Sequence, residues 1–207
     1  MRILITGSSR GIGKALMEEL EFRGHKIRGV CRSVGVDVSN YQQVARALDG
    51  EPYDVLINNA GIVVPGTILE TSPADWLQQF AVNVHGVYNC CREYVKANKA
   101  TGGKIINIAS TAGLMVPRPG RAAYAATKAA VVSLSLSLAE ELRDYGIQVY
   151  CIAPGACNTQ LRQQIAPDDD FDAMLQPAQL ARFLADVVEG GELLDGQVII
   201  TKGGQHR

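Results

Sequence analysis

The 207-residue chain has no excess charge of either sign. It carries 20 Lys and Arg against 21 Asp and Glu. This balance gives no electrostatic reason to expect nucleic acid or an anionic membrane as the main partner. Cysteines are few and odd in number: Cys31, Cys90, Cys91, Cys151 and Cys157, with no CxxC spacing. That excludes a disulfide framework and a zinc ribbon. Adjacent Cys90 and Cys91 read as helix packing residues rather than metal ligands. No apolar run reaches the ~20 residues that span a bilayer. Met1 to Ile5 run straight into a Gly-rich turn, with no charged leader or cleavage site. The expectation is a protein of the reducing cytoplasm with no membrane partner. No repeat and no low-complexity linker divides the chain, so residues 1–207 are expected to form one domain.

What is present is alternation. Short runs rich in Val, Ile and Leu at 3–6, 26–31, 55–58, 104–109, 148–152 and 197–201 read as strands. Helical patterns at 12–23, 41–48, 74–97, 123–145 and 177–189 separate them. This order predicts βαβ units: a doubly wound parallel α/β sheet of Rossmann type, with both faces covered. The acidic run Asp168 to Asp170 reads as a solvated loop tip or cap.

The first strand ends in Thr6 and Gly7. Ser8, Ser9, Arg10, Gly11, Ile12 and Gly13 follow, and a helix begins at once. Glycines in this place let the backbone approach a pyrophosphate, and the helix offers it free N–H groups and a positive dipole end. The second strand ends Val30, Cys31, Arg32 and Ser33, with no Asp or Glu to bond a ribose 2′-hydroxyl. Arg32 and Arg10 are suited instead to a 2′-phosphate. The competing reading makes both merely solvated surface arginines.

Tyr124 and Lys128 stand four residues apart and share a helix face. Free Tyr and Lys side chains titrate near ~10 and ~10.4, so neither is a neutral-pH acid–base group alone. A nearby cation lowers a phenol's pKa and fits it for proton transfer to a carbonyl oxygen. Ser110 follows a strand's carboxyl end, within reach of such a site. Asn83 interrupts an apolar helix, where a buried amide needs partners. Each feature also has an ordinary structural reading as a cap, kink or exposed pair. No activating base is evident for Cys157 or acid partner for His85.

In order along the chain, these motifs resemble the short-chain dehydrogenase/reductase family. TGxxxGxG spans Thr6 to Gly13, and Asn58, Asn59, Ala60 and Gly61 resemble NNAG. Tyr124 and Lys128 match YxxxK, and Pro154, Gly155 and Thr159 match PGxxxT. The resemblance implies an oxidoreductase that interconverts a carbonyl and an alcohol with NADP(H), or less favourably NAD(H). It implies Tyr124 as acid–base group, Lys128 as its partner and ribose holder, and Ser110 as orienter of the substrate oxygen. Asn83 is then the residue of a water-borne proton relay. The implied cofactor contacts include Gly7, Ser9, Arg10, Gly11, Ile12, Gly13, Arg32, Asp37, Val38, Asn59, Ala60, Gly61, Pro154, Gly155 and Thr159. It also implies a homodimer or homotetramer built on the helices 74–97 and 123–145.

The chain departs from the family between Arg32 and Asp37, where a helix and the start of a strand are commonly found. Residues 34–38 are expected to form only a short edge strand or an extended tie. The adenosine pocket is then open on one side, and the exposed sheet face needs a cap from another element or a partner subunit. The lid, 160–176, is short, and no charged pocket signature is evident. The rival readings are a non-catalytic dinucleotide-binding sensor or scaffold and a sugar-nucleotide epimerase. The intact Tyr124 and Lys128 weigh against the former. The 48 residues after Thr159 weigh against the latter.

Overall fold

The structure is a computed structural model and describes residues 1–49, 52–114, 116–190 and 194–202. Six strands form one sheet: β1 (Arg2–Thr6), β2 (Lys26–Val30), β3 (Val55–Asn58), β4 (Gly103–Ile108), β5 (Ile147–Pro154) and β6 (Val198–Thr201). Their order is β2-β1-β3-β4-β5-β6, and every pairing is parallel. Leu4 sits between Arg28 and Leu56, and Ile105 between Leu56 and Val149. This is the doubly wound Rossmann-type sheet expected from the alternation.

Among the described residues, seven α-helices connect the strands: α1 (Gly11–Phe22), α2 (Tyr41–Leu48), α3 (Pro73–Phe80), α4 (Gly86–Asn98), α5 (Ala122–Glu141), α6 (Gln160–Ile165) and α7 (Pro177–Glu189). Side-chain caps start several of them. The Asn40 carboxamide oxygen accepts from Gln43 N–H at 3.1 Å, and Ser72 Oγ accepts from Asp75 N–H at 3.1 Å, with Pro73 opening the first turn. These bonds satisfy donors that a helix start leaves free. On one sheet face, Ile3, Ile5, Val55 and Ile57 pack with Leu16, Leu20 and Leu184 of α1 and α7. On the other, Leu4, Leu56 and Ile105 pack with Val44, Tyr94 and Val131 of α2, α4 and α5.

The trimmed segment takes the second of its two expected forms, a tie rather than an edge strand. Residues 34–38 form no strand. A 3-10 turn, Arg32–Val34, is closed by Gly35 at φ +80°, and an irregular tie follows. β2 is therefore the sheet edge, with Lys26 and Arg28 exposed. The tie is anchored rather than loose. Val38 is buried, its carbonyl accepts from Asn89 Nδ2 at 3.0 Å, and it fills the space beside Gly86. The cap expected for the exposed face is supplied by another element of this chain. The chain covers this face itself, with Val44, Ala47 and Leu48 of α2.

The helical pattern at 74–97 is broken in the structure. Residues Ala81–His85 form a π-turn between α3 and α4. Such turns bulge one residue out of register and often mark functional sites. The pattern at 123–145 ends early, at Glu141, and a 3-10 turn, Arg143–Tyr145, completes it. α5 is also long and apolar enough to cross a bilayer by length and composition, which a count of uninterrupted apolar residues does not reveal. Here its Lys128 and Ser135 are buried against the sheet. Cys90 and Cys91 are buried in the core as expected, and all five thiols are free.

Candidate active site

α5 is fixed by buried polar bonds as well as apolar packing. Asn58 Nδ2 donates to Asn107 Oδ1 at 2.8 Å, Asn107 Nδ2 to Ser135 Oγ at 2.9 Å, and Ser135 Oγ to Val131 O at 2.7 Å. These bonds tie β3, β4 and α5 together. They set the rotation that carries Tyr124 and Lys128 to the carboxyl end of β4. In open α/β sheets, the carboxyl ends of the strands are where ligands bind.

A cleft of about 790 Å³ opens there. All but two of the predicted site residues line it. Gly7, Ser9, Arg10, Gly11 and Ile12 form one wall, with Arg32, Asp37 and Val38 at that end. Asn59, Ala60 and Gly61 form the floor. Ser110, Tyr124, Lys128, Pro154, Gly155 and Thr159 form the other end. The exceptions, Gly13 and Asn83, lie directly behind the lining.

The Gly-rich turn is a cradle that side chains would fill. Gly7 has φ +68°, and a Cβ there would lie 2.7 Å from Ala60 Cα. A Cβ on Gly13 would lie 2.3 Å from Gly7 O. Thr6 Oγ1 accepts from Asn59 N–H at 3.1 Å and Ala60 N–H at 3.0 Å, and Asn59 Nδ2 donates to Gly7 O at 3.1 Å. These bonds lock the turn to the floor. Arg10 caps α1 without a side-chain bond, and the first turn holds no acid. The free N–H groups and glycine backbone fit a dinucleotide pyrophosphate. Asp37 instead turns its carboxylate onto Ser39, accepting from the backbone N–H at 2.9 Å and the hydroxyl at 2.7 Å.

At the other end, Lys128 Nζ donates to Ile108 O at 2.7 Å and lies 5.8 Å from the Tyr124 ring centroid. Burial pushes its ammonium down to about 8. Burial also pushes the Tyr124 phenol up, opposed by hydrogen bonding to Ser110 and by the Arg121 charge. Ser110 Oγ also accepts from Ala112 N–H at 3.2 Å. Asn83 is fully buried in the π-turn. Its Nδ2 donates to Thr127 Oγ1 at 3.0 Å, and its Oδ1 lies 3.4 Å from where a Gly61 Cβ would stand. Lys128 Nζ lies 3.7 Å from the same point. Cys157 also lines the cleft, but burial pushes its thiol up to about 12 and keeps it protonated.

The model of the short chain dehydrogenase family matches residues 31–170. The chain belongs to that family. It is an oxidoreductase of the short-chain type that binds NAD(P). It is 35% identical to Oxidoreductase UcpA of Salmonella typhimurium, over 92% of this chain and 84% of that one. Among solved structures, it superposes on a 3-ketoacyl-(acyl-carrier-protein) reductase from Brucella melitensis complexed with NADH. The TM-score is 0.87 and the identity 28%, covering 98% of this chain and 97% of the other. A gluconate 5-dehydrogenase from Burkholderia cenocepacia, in complex with NADP and tartrate, gives a TM-score of 0.85 at 29% identity, covering 98% and 94%.

One expectation about this short-chain dehydrogenase is overturned. The Tyr124 end of the cleft is charged. Arg118, Arg121 and Arg162 line it, with Ile165 and Met174 as apolar neighbours. Arg118 and Arg121 flank a loop before α5, whereas Arg162 belongs to α6 in the lid. The lid was expected to be uninformative because nothing in the sequence shows that its Arg162 faces Arg121. The Asp168 to Asp170 run behaves as expected for a loop. Asp169 pairs with Arg162, and Asp170 Oδ1 accepts from Asp172 N–H at 3.1 Å. Among the described residues, no group of three or more potential metal ligands gathers.

Proposed function

We propose that this protein interconverts a carbonyl compound and an alcohol, using NADP(H) in preference to NAD(H), with Tyr124 as the acid–base group. The observation that carries the reading is Tyr124 set beside Ser110 and Lys128 in the same cleft as the glycine cradle. When bound, the dinucleotide supplies or accepts a hydride at its nicotinamide ring. In reduction, Tyr124 gives its phenolic proton to the carbonyl oxygen, and in oxidation it takes that proton back. The Ser110 hydroxyl holds the same oxygen. Lys128, while charged, favours the phenolate and holds the ribose. Asn83 keeps Gly61 and Ile62 in place and sustains a water-borne proton path toward Lys128.

Gly7, Gly11 and the start of α1 hold the pyrophosphate, and Val38 with Asp37 borders the adenine. Pro154, Gly155 and Thr159 border the nicotinamide. The NADP preference rests on exposed Arg10 and Arg32 and on the lack of a carboxylate after β2. One related structure holds NADH and another NADP, so the preference comes from this chain's own residues. Residues 1–207 act as one domain, in a cytoplasmic homodimer or homotetramer. Exposed Tyr88 and Leu136, on α4 and α5, support the contact.

The test is a fluorescence titration with NADPH and NADH, followed by turnover of a carbonyl panel by the wild type and Tyr124→Phe. General acid–base catalysis contributes about 10²- to 10⁴-fold, so the variant should lose that much rate while keeping cofactor affinity. Unchanged turnover in Tyr124→Phe would remove the mechanism. Binding of neither cofactor would favour the scaffold reading.

A further inference from the structure

The cleft's charge is lopsided in a chain whose net charge is −1. Among the described lining residues, Asp37 is the one acid, and it stands at the adenosine end. The three arginines of the Tyr124 end have Asp169 as the one carboxylate paired among them, and it is bonded to Arg162.

Arg121 is the N-cap of α5, three residues before Tyr124. Its Nη2 donates to Ile165 O at 3.1 Å. Its Nη1 is buried and has no hydrogen-bond partner among the described residues, and the same holds for Nε of Arg162. Burial and the charges of Arg162 and Arg118 together press the Arg121 guanidinium below its usual value. A buried donor left unfilled on a half-buried cation is costly unless an acceptor meets it. Arg121 Nη1 and Arg162 Nε each leave one donor unfilled, and the two oxygens of a carboxylate can each accept one such charge-assisted N–H bond.

We propose that the substrate is a short carbonyl acid, or the matching hydroxy acid, whose carboxylate is held by Arg121 and Arg162. The assignment rests on Tyr124 as the acid–base group, because position then follows from spacing. Residues three apart on a helix are neighbours, about 5–6 Å between Cβ atoms. With both side chains lining one cleft, the carboxylate lies within a few carbons of the carbonyl that Tyr124 protonates. That carbonyl carbon gains a hydride and its oxygen gains a proton, while the carboxylate keeps its charge throughout. Arg118, exposed at the mouth, draws the anion in.

The experiment compares the wild-type enzyme, with NADPH, on pyruvate and acetoacetate against their methyl esters and against a phosphate-bearing ketone. The expected result is kcat/KM on the order of 10²-fold higher for an acid than for its ester. Arg121→Gln should shrink that ratio to a few-fold, chiefly through KM, and Arg121→Lys should restore part of it. NADPH affinity should hold in both variants. Three outcomes would overturn the proposal: equal turnover of acid and ester, preference for the phosphate, or a loss of NADPH affinity as large as the loss of acid turnover. The last would assign the arginines to the cofactor.

If no carbonyl turns over, the carbonyl–alcohol reading with Tyr124 is what fails, and the anion site is read directly. Malonate is titrated calorimetrically into the NADP-loaded protein. Binding that weakens at least tenfold in Arg121→Gln, and also in Arg162→Gln, supports the site. Absence of binding to the wild type rejects it.

Discussion

Asn83 holds Ile62 by both of its backbone polar groups, accepting from the N–H at 2.8 Å and donating to the C=O at 2.9 Å. The π-turn is what aims this amide at the loop after β3. In an unbroken helix, residue 83 would point elsewhere. The loop carries Asn59, Ala60 and Gly61, so Asn83 braces the cleft floor from behind.

Asn83→Ala should therefore cost both structure and rate. It leaves two partly buried backbone groups unpaired, at ~1–3 kcal/mol each. Thermal unfolding should shift down by several degrees, and kcat should fall at least tenfold. A variant with wild-type melting and wild-type kcat would show that Asn83 braces nothing.

Lys128 makes stability depend on pH in a definite direction. Its ammonium is held down to about 8 by burial. Below that pH, folded and unfolded chains both carry the proton, and the burial penalty is constant. Between about pH 8 and the free-lysine value of ~10.4, only the unfolded chain keeps it, so stability rises with pH. The buried thiols of Cys90, Cys91 and Cys157, all pushed up by burial, act oppositely. They stay protonated while unfolded thiols ionise from ~8.5, which lowers stability as pH climbs. Comparison with Lys128→Met isolates the lysine. The variant should melt above the wild type near pH 7, and the gap should close toward pH 10. A gap that does not change with pH would contradict the assignment.

Gly13→Ala tests the cradle. The added carbon would meet Gly7 O at 2.3 Å and Asn59 Nδ2 at 2.5 Å. The first is backbone of a locked turn and has nowhere to go. Overpacking of this kind costs ~1–3 kcal/mol. NADPH affinity should fall more than tenfold as the turn is forced open, as a fluorescence titration would reveal.

Arg10 and Arg32 set the cofactor preference in the reading above. Replacing both with Gln should raise the NADPH Kd on the order of 10²-fold, as expected for lost charge-assisted bonds. The NADH Kd should move less than threefold. Equal losses for both cofactors would place these arginines on the pyrophosphate instead.

Much of this was legible before the fold was seen. The strand pattern is strong because the central strands β1 and β3 are buried on both faces and read as runs of Val, Ile and Leu. The spacing of Gly7, Gly11 and Gly13 and the four-residue step from Tyr124 to Lys128 are local, and local geometry survives into the structure. What stayed hidden depends on tertiary contact. Arg121 and Arg162 are far apart in sequence, and only the lid brings them to one place. The π-turn at Ala81–His85 was hidden too, since its periodicity slips by a single residue. The bonds through Asn58 and Asn107 were equally hidden, because buried asparagines look like turn residues until their partners are known.

Among the described residues the sheet contains no hairpin, and that bears on how the chain comes to be folded. Every strand pair is parallel, so no two strands can zip together across a tight turn. Even the nearest partners, Leu4 and Arg28, meet only after the whole of α1 has been threaded between them. A nascent chain must therefore spend its early life with helices forming and strands unpaired, the slow regime for folding rates. Its apolar strands, among them Ile3 to Ile5 and Val55 to Ile57, are then open to the wrong neighbours. Yield from the ribosome, more than the stability of the finished fold, is where a weakened α1 would first be felt.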